Sequence, residues 1–165
     1  LLQRLVRAAD IVVEGSRPRA LLDLGIDARA VVAAGTTTWI SITGHGRTGD
    51  EALRVGFGDD AAAAGGLVAG DPPCFVADAV ADPITGLYAA AAALAALVGR
   101  RGQLIDVALA RCAAFVASGA SGASSEVSRA SVEHPAAPPR ARRAPAPAAA
   151  LGAHTAQVRR ELTPT

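Results

Sequence analysis

The chain has 165 residues, room for one domain. Hydrophobic residues make up 51% and charged residues 19%, which supports a buried core and excludes wholesale disorder. Sixteen basic groups face fifteen acidic ones, and a net charge of +1 provides no general footprint for nucleic acid or an anionic membrane.

The two cysteines, Cys74 and Cys112, cannot build a disulfide framework and lack zinc spacing, so a reducing cytoplasm is the expected compartment. All sixteen basic residues are arginine and 41 residues are alanine, a bias of the kind that GC-rich coding imposes. Methionine is absent, and a chain opening on Leu1 reads as a fragment of a longer frame. No basic-then-apolar signal opens it. The longest uncharged run, between Asp82 and Arg100, is mostly alanine and reads as too weakly apolar to span a bilayer.

In chain order, residues 1–10 place Leu1, Leu2, Leu5 and Val6 on one helical face. The run Ile11-Val12-Val13 is short, β-branched and unalternated, which predicts a strand buried on both faces of a parallel sheet. Residues 14–18 (EGSRP) form the turn at its carboxyl end. Short helices are predicted from Leu21 to a stop at Gly25 and over 28–34, closed by Gly35. Residues 37–43 (TTWISIT) predict a second strand, followed at once by the glycine-rich loop 44–49. This alternation belongs to an α/β layer fold.

Residues 59–69 read as an alanine-rich helix, Asp71-Pro72-Pro73 as a break, and 74–77 as a short strand. Asp82 is a natural N-cap and Pro83 suits a first helical turn, so a helix is predicted to about Val98, ending at Gly99. Residues 104–116 read as a strand or a further helix. The predicted domains are an α/β unit over 1–118, a flexible, disordered Pro/Ala-rich linker over 119–150 and a tail, 151–165, holding one short helix.

Chemistry concentrates at two places. Asp82 reads locally as a cap, or as a carboxylate nucleophile. A carboxylate attacking a thioester splits one hard acyl transfer into easier steps, and a helix start supplies N–H groups for nearby oxyanions. The loop 44–49 reads as a tight turn, or as a backbone that closely approaches a phosphate or a pantetheine arm. It does not fit G-x-x-x-x-G-K-[ST], and the chain has no lysine, which excludes a Walker-type site. It does not fit G-x-G-x-x-G either.

His134 and His154 read as solvated, and His45 as a polar turn residue or an acid–base group. No Ser or Cys nucleophile pairs with a histidine, and no His/Asp/Glu cluster has metal spacing, so neither a triad nor a metal is expected. Arg140, Arg142 and Arg143 read as solubilising charge in the linker.

Taken together, these segments resemble the class III (CaiB/BaiF-like) CoA-transferases, which include formyl-CoA transferase, carnitine CoA-transferase and alpha-methylacyl-CoA racemase. ADIVVEGSRP (9–18) is similar to "ADVVVENFRPG", and ISITGHGRTG (40–49) to "VSISGFGQTGP". Residues 78–97, through ADPITGLYAA, resemble "VADLTTGLYAAIGILAAL", GQLIDVAL (102–109) resembles "GQVIDVSL", and LGAHT (151–155) resembles "LGEHT". The resemblance implies a partial Rossmann-like layered domain with parallel strands.

It also implies a transfer of CoA from an acyl-CoA to a carboxylic acid through an aspartyl anhydride and an aspartyl-CoA. Asp82 matches the family's nucleophile and Arg17 the arginine that meets CoA, with Gly44 and Phe57 as further expected CoA contacts. Phe57 stands where the racemase has its catalytic histidine, which argues against proton shuttling. Gly58 replaces the acidic residue that follows, with Asp59 displaced by one. His45 occupies a position that is usually aromatic. Family members are more than twice this length and form interlocked dimers, so a homodimer or a partner chain is expected to complete the site.

Overall fold

The computed structural model describes residues 1–99, 102–122 and 145–162. Residues 2–122 form one compact unit, and the described residues 145–162 belong to a second. The first unit runs α1 (Leu2–Ala8), β1 (Ile11–Glu14), α2 (Pro18–Asp23), α3 (Ala28–Ala33), β2 (Thr38–Thr43) and a 3-10 turn (Asp50–Leu53). It continues with α4 (Gly58–Ala64), β3 (Val68–Ala69), β4 (Cys74–Phe75), α5 (Ala81–Gly99), β5 (Gln103–Ala108) and α6 (Leu109–Gly122). In the second unit, α7 (Thr155–Glu161) is the short helix expected in the tail.

The central sheet has the order β1-β2-β5, with both pairings parallel. Successive strand residues face opposite sides, so β2 carries two cores. On one side Trp39 packs with Val6, Ile26 and Ala28, backed by Val12 and Leu104. On the other, Ile40 packs with Ala89 of α5 and with Val107. Helices therefore cover both faces, and the architecture is the α/β layer fold with parallel strands. A third cluster joins α4, α5 and α6 through Ala61, Ala62, Ala81, Leu109 and Ala113.

Several expectations are corrected. Strand β1 is not buried on both faces: it is the sheet's edge, and Val13 is 64% exposed. Of the apolar face of α1 only Val6 is buried. The alanine run does not stay helical to 69. It stops at Ala64 because Gly65 and Gly66 follow, Gly66 with φ +79°, and the chain turns into the antiparallel β3–β4 hairpin. Gly65 also admits α6: a Cβ there would lie 2.6 Å from Ala113 Cβ and 2.6 Å from the Ala110 carbonyl oxygen.

Residues 104–116 are a strand and then a helix. Residues 119–122 are the end of α6 rather than linker, and Arg140, Arg142, Arg143 and His134 lie outside the described residues. Helix α5 is more apolar than the sequence reading allows. Its mean hydropathy reaches 1.5 over an 18-residue window, enough by length and composition alone to cross a membrane. In this fold its Thr85, Ala89 and Ala96 are buried and it packs against β2, β5 and α6, while Leu87, Leu94, Leu97 and Val98 stay exposed and only 22% of its apolar window is buried.

One polar row crosses the sheet near its carboxyl edge. Register places Glu14 beside Ser41 and Ser41 beside Asp106. Arg47, from the glycine loop, folds back onto this row. Its guanidinium donates to Glu14 Oε2 at 2.8 Å and to Ser41 Oγ at 2.7 Å, and its backbone N–H donates to Asp106 Oδ2 at 2.8 Å. Trp39 Nε1 donates to the same Glu14 oxygen at 2.8 Å, Ser16 Oγ to Glu14 Oε1, and Thr43 Oγ1 to Asp106 Oδ1. The Glu14 and Arg47 side chains are only 2% and 11% exposed.

Two predictions follow from this packing. Ile40→Ala should lower stability by about 2–5 kcal/mol, whereas Val13→Ala on the open edge should change it by no more than about 0.5 kcal/mol. Urea unfolding followed by the fluorescence of Trp39, the chain's one tryptophan, checks both. Arg47→Met strands the Glu14 carboxylate and should cost about 3–5 kcal/mol. Adding Glu14→Gln should recover part of that loss, and additive losses would refute the pairing.

Candidate functional site

A cavity of about 400 Å³ opens at the carboxyl edge of the sheet. Its walls come from the turn after β1 (Gly15, Ser16, Arg17), from the end of β2 and its loop (Ile42, Thr43, Gly44, Gly46), from Ala52 and residues 54–57, and from Asp82 and Leu109. The four residues singled out in the sequence, Arg17, Gly44, Phe57 and Asp82, thus converge on one hollow from four separate segments. Ligands of open α/β sheets occupy this edge because the strand-to-helix loops gather there.

Asp82 is the second residue of α5, not its N-cap: the helix opens one residue earlier, at Ala81, and Pro83 still falls in the first turn. The side chain is exposed and lines the cavity. Among the described residues nothing donates a hydrogen bond to its carboxylate, so the oxygens are not used up in capping. The positive end of the helix dipole favours a carboxylate there.

The seat of that carboxylate is made by absent atoms. A Cβ on Gly58 would fall 2.7 Å from Asp82 Oδ2, 2.6 Å from the Ala79 carbonyl oxygen and 2.7 Å from Ala79 Cα. The glycine that stands in place of the family's acidic residue is therefore the surface on which the Asp82 carboxylate rests. Asp59, displaced by one, turns away from the cavity, and its Oδ1 accepts the Ala79 N–H at 2.7 Å.

Gly44 and Gly56 cross backbone to backbone, and a Cβ on Gly44 would come within 2.8 Å of the Gly56 Cα. That crossing holds residues 52–57 against the glycine loop and shapes the cavity wall. Behind it lies His45, which is buried. Its ring fills the space that Gly56 leaves: a Cβ on Gly56 would sit 3.1 Å from His45 Nε2, an atom without a hydrogen-bond partner among the described residues. A flat ring used as filler is consistent with a position that the resemblance makes aromatic.

Phe57 is 71% exposed at the cavity rim, and its backbone N–H donates to Asp60 Oδ1 at 2.6 Å, which fixes the start of α4. Arg17 is exposed and also lines the cavity. Two further arginines of this region were not singled out as site residues, Arg47 inside the 40–49 motif and Arg54 outside the motifs. Arg47 is consumed in the polar row below the loop. Arg54 lines the cavity and pairs with Glu51 at 2.7 Å, both more than half exposed. In the sequence Arg47 is marked only by its place in the glycine loop, and Arg54 only by following that loop. The cavity thus offers an unbonded carboxylate together with Arg17, the Glu51-paired Arg54 and glycine backbone, a combination suited to an anionic thioester and its carboxylate product. Among the described residues no group of three His, Cys, Asp or Glu side chains could hold a metal ion.

Comparison with known proteins gives the relationship. The family model for CoA-transferase family III matches residues 1–156. A succinate–glutarate CoA-transferase of Agrobacterium fabrum is 36% identical over 119 residues, covering 66% of this chain and 30% of the relative. A succinyl-CoA–D-citramalate CoA-transferase of Chloroflexus aurantiacus is 31% identical over the same length, again 66% of this chain and 30% of the relative. The chain therefore spans about a third of the length of these curated relatives. A CaiB/BaiF family protein from Brucella suis superposes with a TM-score of 0.64 at 35% identity, over 72% of this chain and 34% of that one. Rv3272 of Mycobacterium tuberculosis does so with a TM-score of 0.65 at 26% identity, over 72% and 36%. With the family match running from residue 1 to residue 156, this chain belongs to CoA-transferase family III.

Proposed function

We propose that this chain carries the nucleophilic part of a site that moves CoA from an acyl-CoA to a carboxylic acid, with Asp82 as the catalytic residue. The observation that carries this reading is the Asp82 carboxylate itself: exposed, unbonded among the described residues, and lining a cavity at the loop edge of a parallel sheet.

An Asp82 oxygen attacks the thioester carbonyl carbon. The C–S bond breaks, CoA leaves as a thiolate, and an aspartyl–acyl anhydride remains. The thiolate then attacks the Asp82 carbonyl, releasing the first acid and forming an aspartyl-CoA thioester. The acceptor carboxylate attacks that carbonyl and expels the thiolate, giving a second anhydride. Attack of the thiolate on the acceptor's carbonyl releases the new acyl-CoA and restores Asp82. Every step exchanges one acyl bond for another, so no proton has to be stored.

Arg17 and Arg54 at the rims supply positive charge for the phosphates of CoA and for the free carboxylates. The backbone at Gly44 and the Phe57 ring complete the CoA contacts. Substrates of the succinyl and glutaryl kind fit the cationic lining, and relatives named for succinate, glutarate and citramalate support that class.

A second reading is favoured by the share of its relatives' length that the chain spans: a CoA-binding module that turns over only with a second copy or another chain completing the cavity. Calorimetric titration with CoA, and a melting temperature that rises with protein concentration, would distinguish it.

Incubation with succinyl-CoA and hydroxylamine should leave a hydroxamate on Asp82 by peptide mass spectrometry, and Asp82→Asn should abolish it. An unmodified Asp82, under conditions that label a full-length relative, sinks the nucleophile reading for this chain. Gly58→Ala keeps every reacting group but fills the seat of the carboxylate. It should lower labelling and cost about 1–3 kcal/mol of stability.

A further inference from the structure

We infer that Asp59 is a positioning residue for Asp82, holding the left-handed turn at Ala79 from which helix α5 sets out. The inference rests on the reading of Asp82 as the nucleophile and adds to it the means by which that carboxylate is placed.

Ala79 is the one non-glycine residue with positive φ among the described residues, at +45°. The Cβ of an L-residue crowds the carbonyl oxygen in this conformation, so such a turn persists only where its surroundings hold it. The holding groups are identifiable. Asp59 Oδ1 accepts the Ala79 N–H at 2.7 Å, in a part-buried contact between residues twenty apart in the chain. A charged acceptor makes this stronger than an ordinary backbone pairing. From the other side of the same residue, the Ala79 carbonyl oxygen accepts the Asp82 N–H at 3.0 Å. Asp59, Ala79 and Asp82 are thus linked in series through one residue in a disfavoured conformation.

Gly58, the immediate neighbour of Asp59, supplies the second restraint. Its Cα lies against both Ala79 and Asp82 Oδ2, so close that a Cβ would reach within 2.7 Å of each. One dipeptide at the start of α4 therefore fixes the backbone origin of Asp82 and the resting place of its carboxylate. Position matters here more than presence, because an attacking oxygen must lie in line with its carbonyl carbon.

The test compares Asp59→Ala, Asp59→Asn and Asp59→Ala combined with Ala79→Gly. Ala79 amide exchange is followed by NMR, and the succinyl-CoA and hydroxylamine labelling of Asp82 over a range of succinyl-CoA concentrations. Asp59→Ala should speed Ala79 exchange on the order of tenfold or more. It should lower the maximal labelling rate about a hundredfold, with the half-saturating succinyl-CoA concentration unchanged. Asp59→Asn retains an acceptor oxygen and should stay near wild type. Ala79→Gly, which removes the crowded Cβ, should restore part of the rate lost in Asp59→Ala.

Ala62→Gly, a buried substitution elsewhere on α4, serves as the control for stability alone. The inference is overturned if Asp59→Ala leaves exchange or labelling at wild-type values, if Asp59→Asn is as poor as Asp59→Ala, or if Ala62→Gly lowers labelling equally. A wild-type chain that is not labelled at all removes the nucleophile reading instead. The exchange measurement then decides by itself whether Asp59 holds the turn.

Discussion

Three parallel strands are drawn together at their carboxyl edge by one buried charge and the groups that satisfy it. Glu14, Ser41 and Asp106 stand in one row across β1, β2 and β5, and Arg47 lies over all three. A carboxylate as enclosed as that of Glu14 is tolerable only if its lone pairs are met, and here Trp39, Ser16 and Arg47 meet them. The loop that carries Arg47 back turns at Gly46 and Gly49, which take φ of +127° and +71°. The loop that forms a cavity wall is therefore anchored from beneath by the same contacts that lock the sheet edge. Site and fold share one set of hydrogen bonds.

Above that anchor, the site is shaped by missing side chains. Gly44 and Gly56 let two backbones cross, Gly58 gives the Asp82 carboxylate a floor, and Gly65 lets α6 lie on α4. Each of these approaches would be closed by a single methyl group, so the glycines act here through volume. The same close packing sets Asp82 at the surface of the cavity, where it is held from below and open above.

The parts legible in the sequence were those written in local pattern. Ile11-Val12-Val13 and Thr37 to Thr43 announce strands by β-branching, and Pro83 with the alanine run that follows announces α5. The motif segments placed Arg17, Gly44, Phe57 and Asp82 before any geometry was known, and one cavity gathers them. What stayed hidden depends on partners distant in the chain. An alanine run has no marker for where it leaves a helix unless Gly65-Gly66 is weighed above propensity. That β1 is an edge depends on which strands pair, which no local pattern states. Asp59 looks like one acidic residue of a helix start, and its role appears only when Ala79, twenty residues on, is seen in the left-handed region. His45 reads as polar in a glycine loop, yet it is buried because Gly56 crosses there.

The exposure of Asp82 has a chemical consequence for the proposed reaction. A carboxylate open to solvent is accessible to a thioester, but the anhydride it forms is equally accessible to water. Transfer outruns hydrolysis only where water is kept from the intermediate while the thiolate and the second acid stay close. The described residues supply a floor of glycine backbone, the Arg17 guanidinium, the Arg54–Glu51 pair and the proposed nucleophile. Whatever covers the cavity during turnover, whether substrate, more of a longer chain or a second subunit, therefore governs the balance between transfer and hydrolysis. The first acyl transfer depends on the groups that place Asp82, and the fidelity of the later ones on what closes over it.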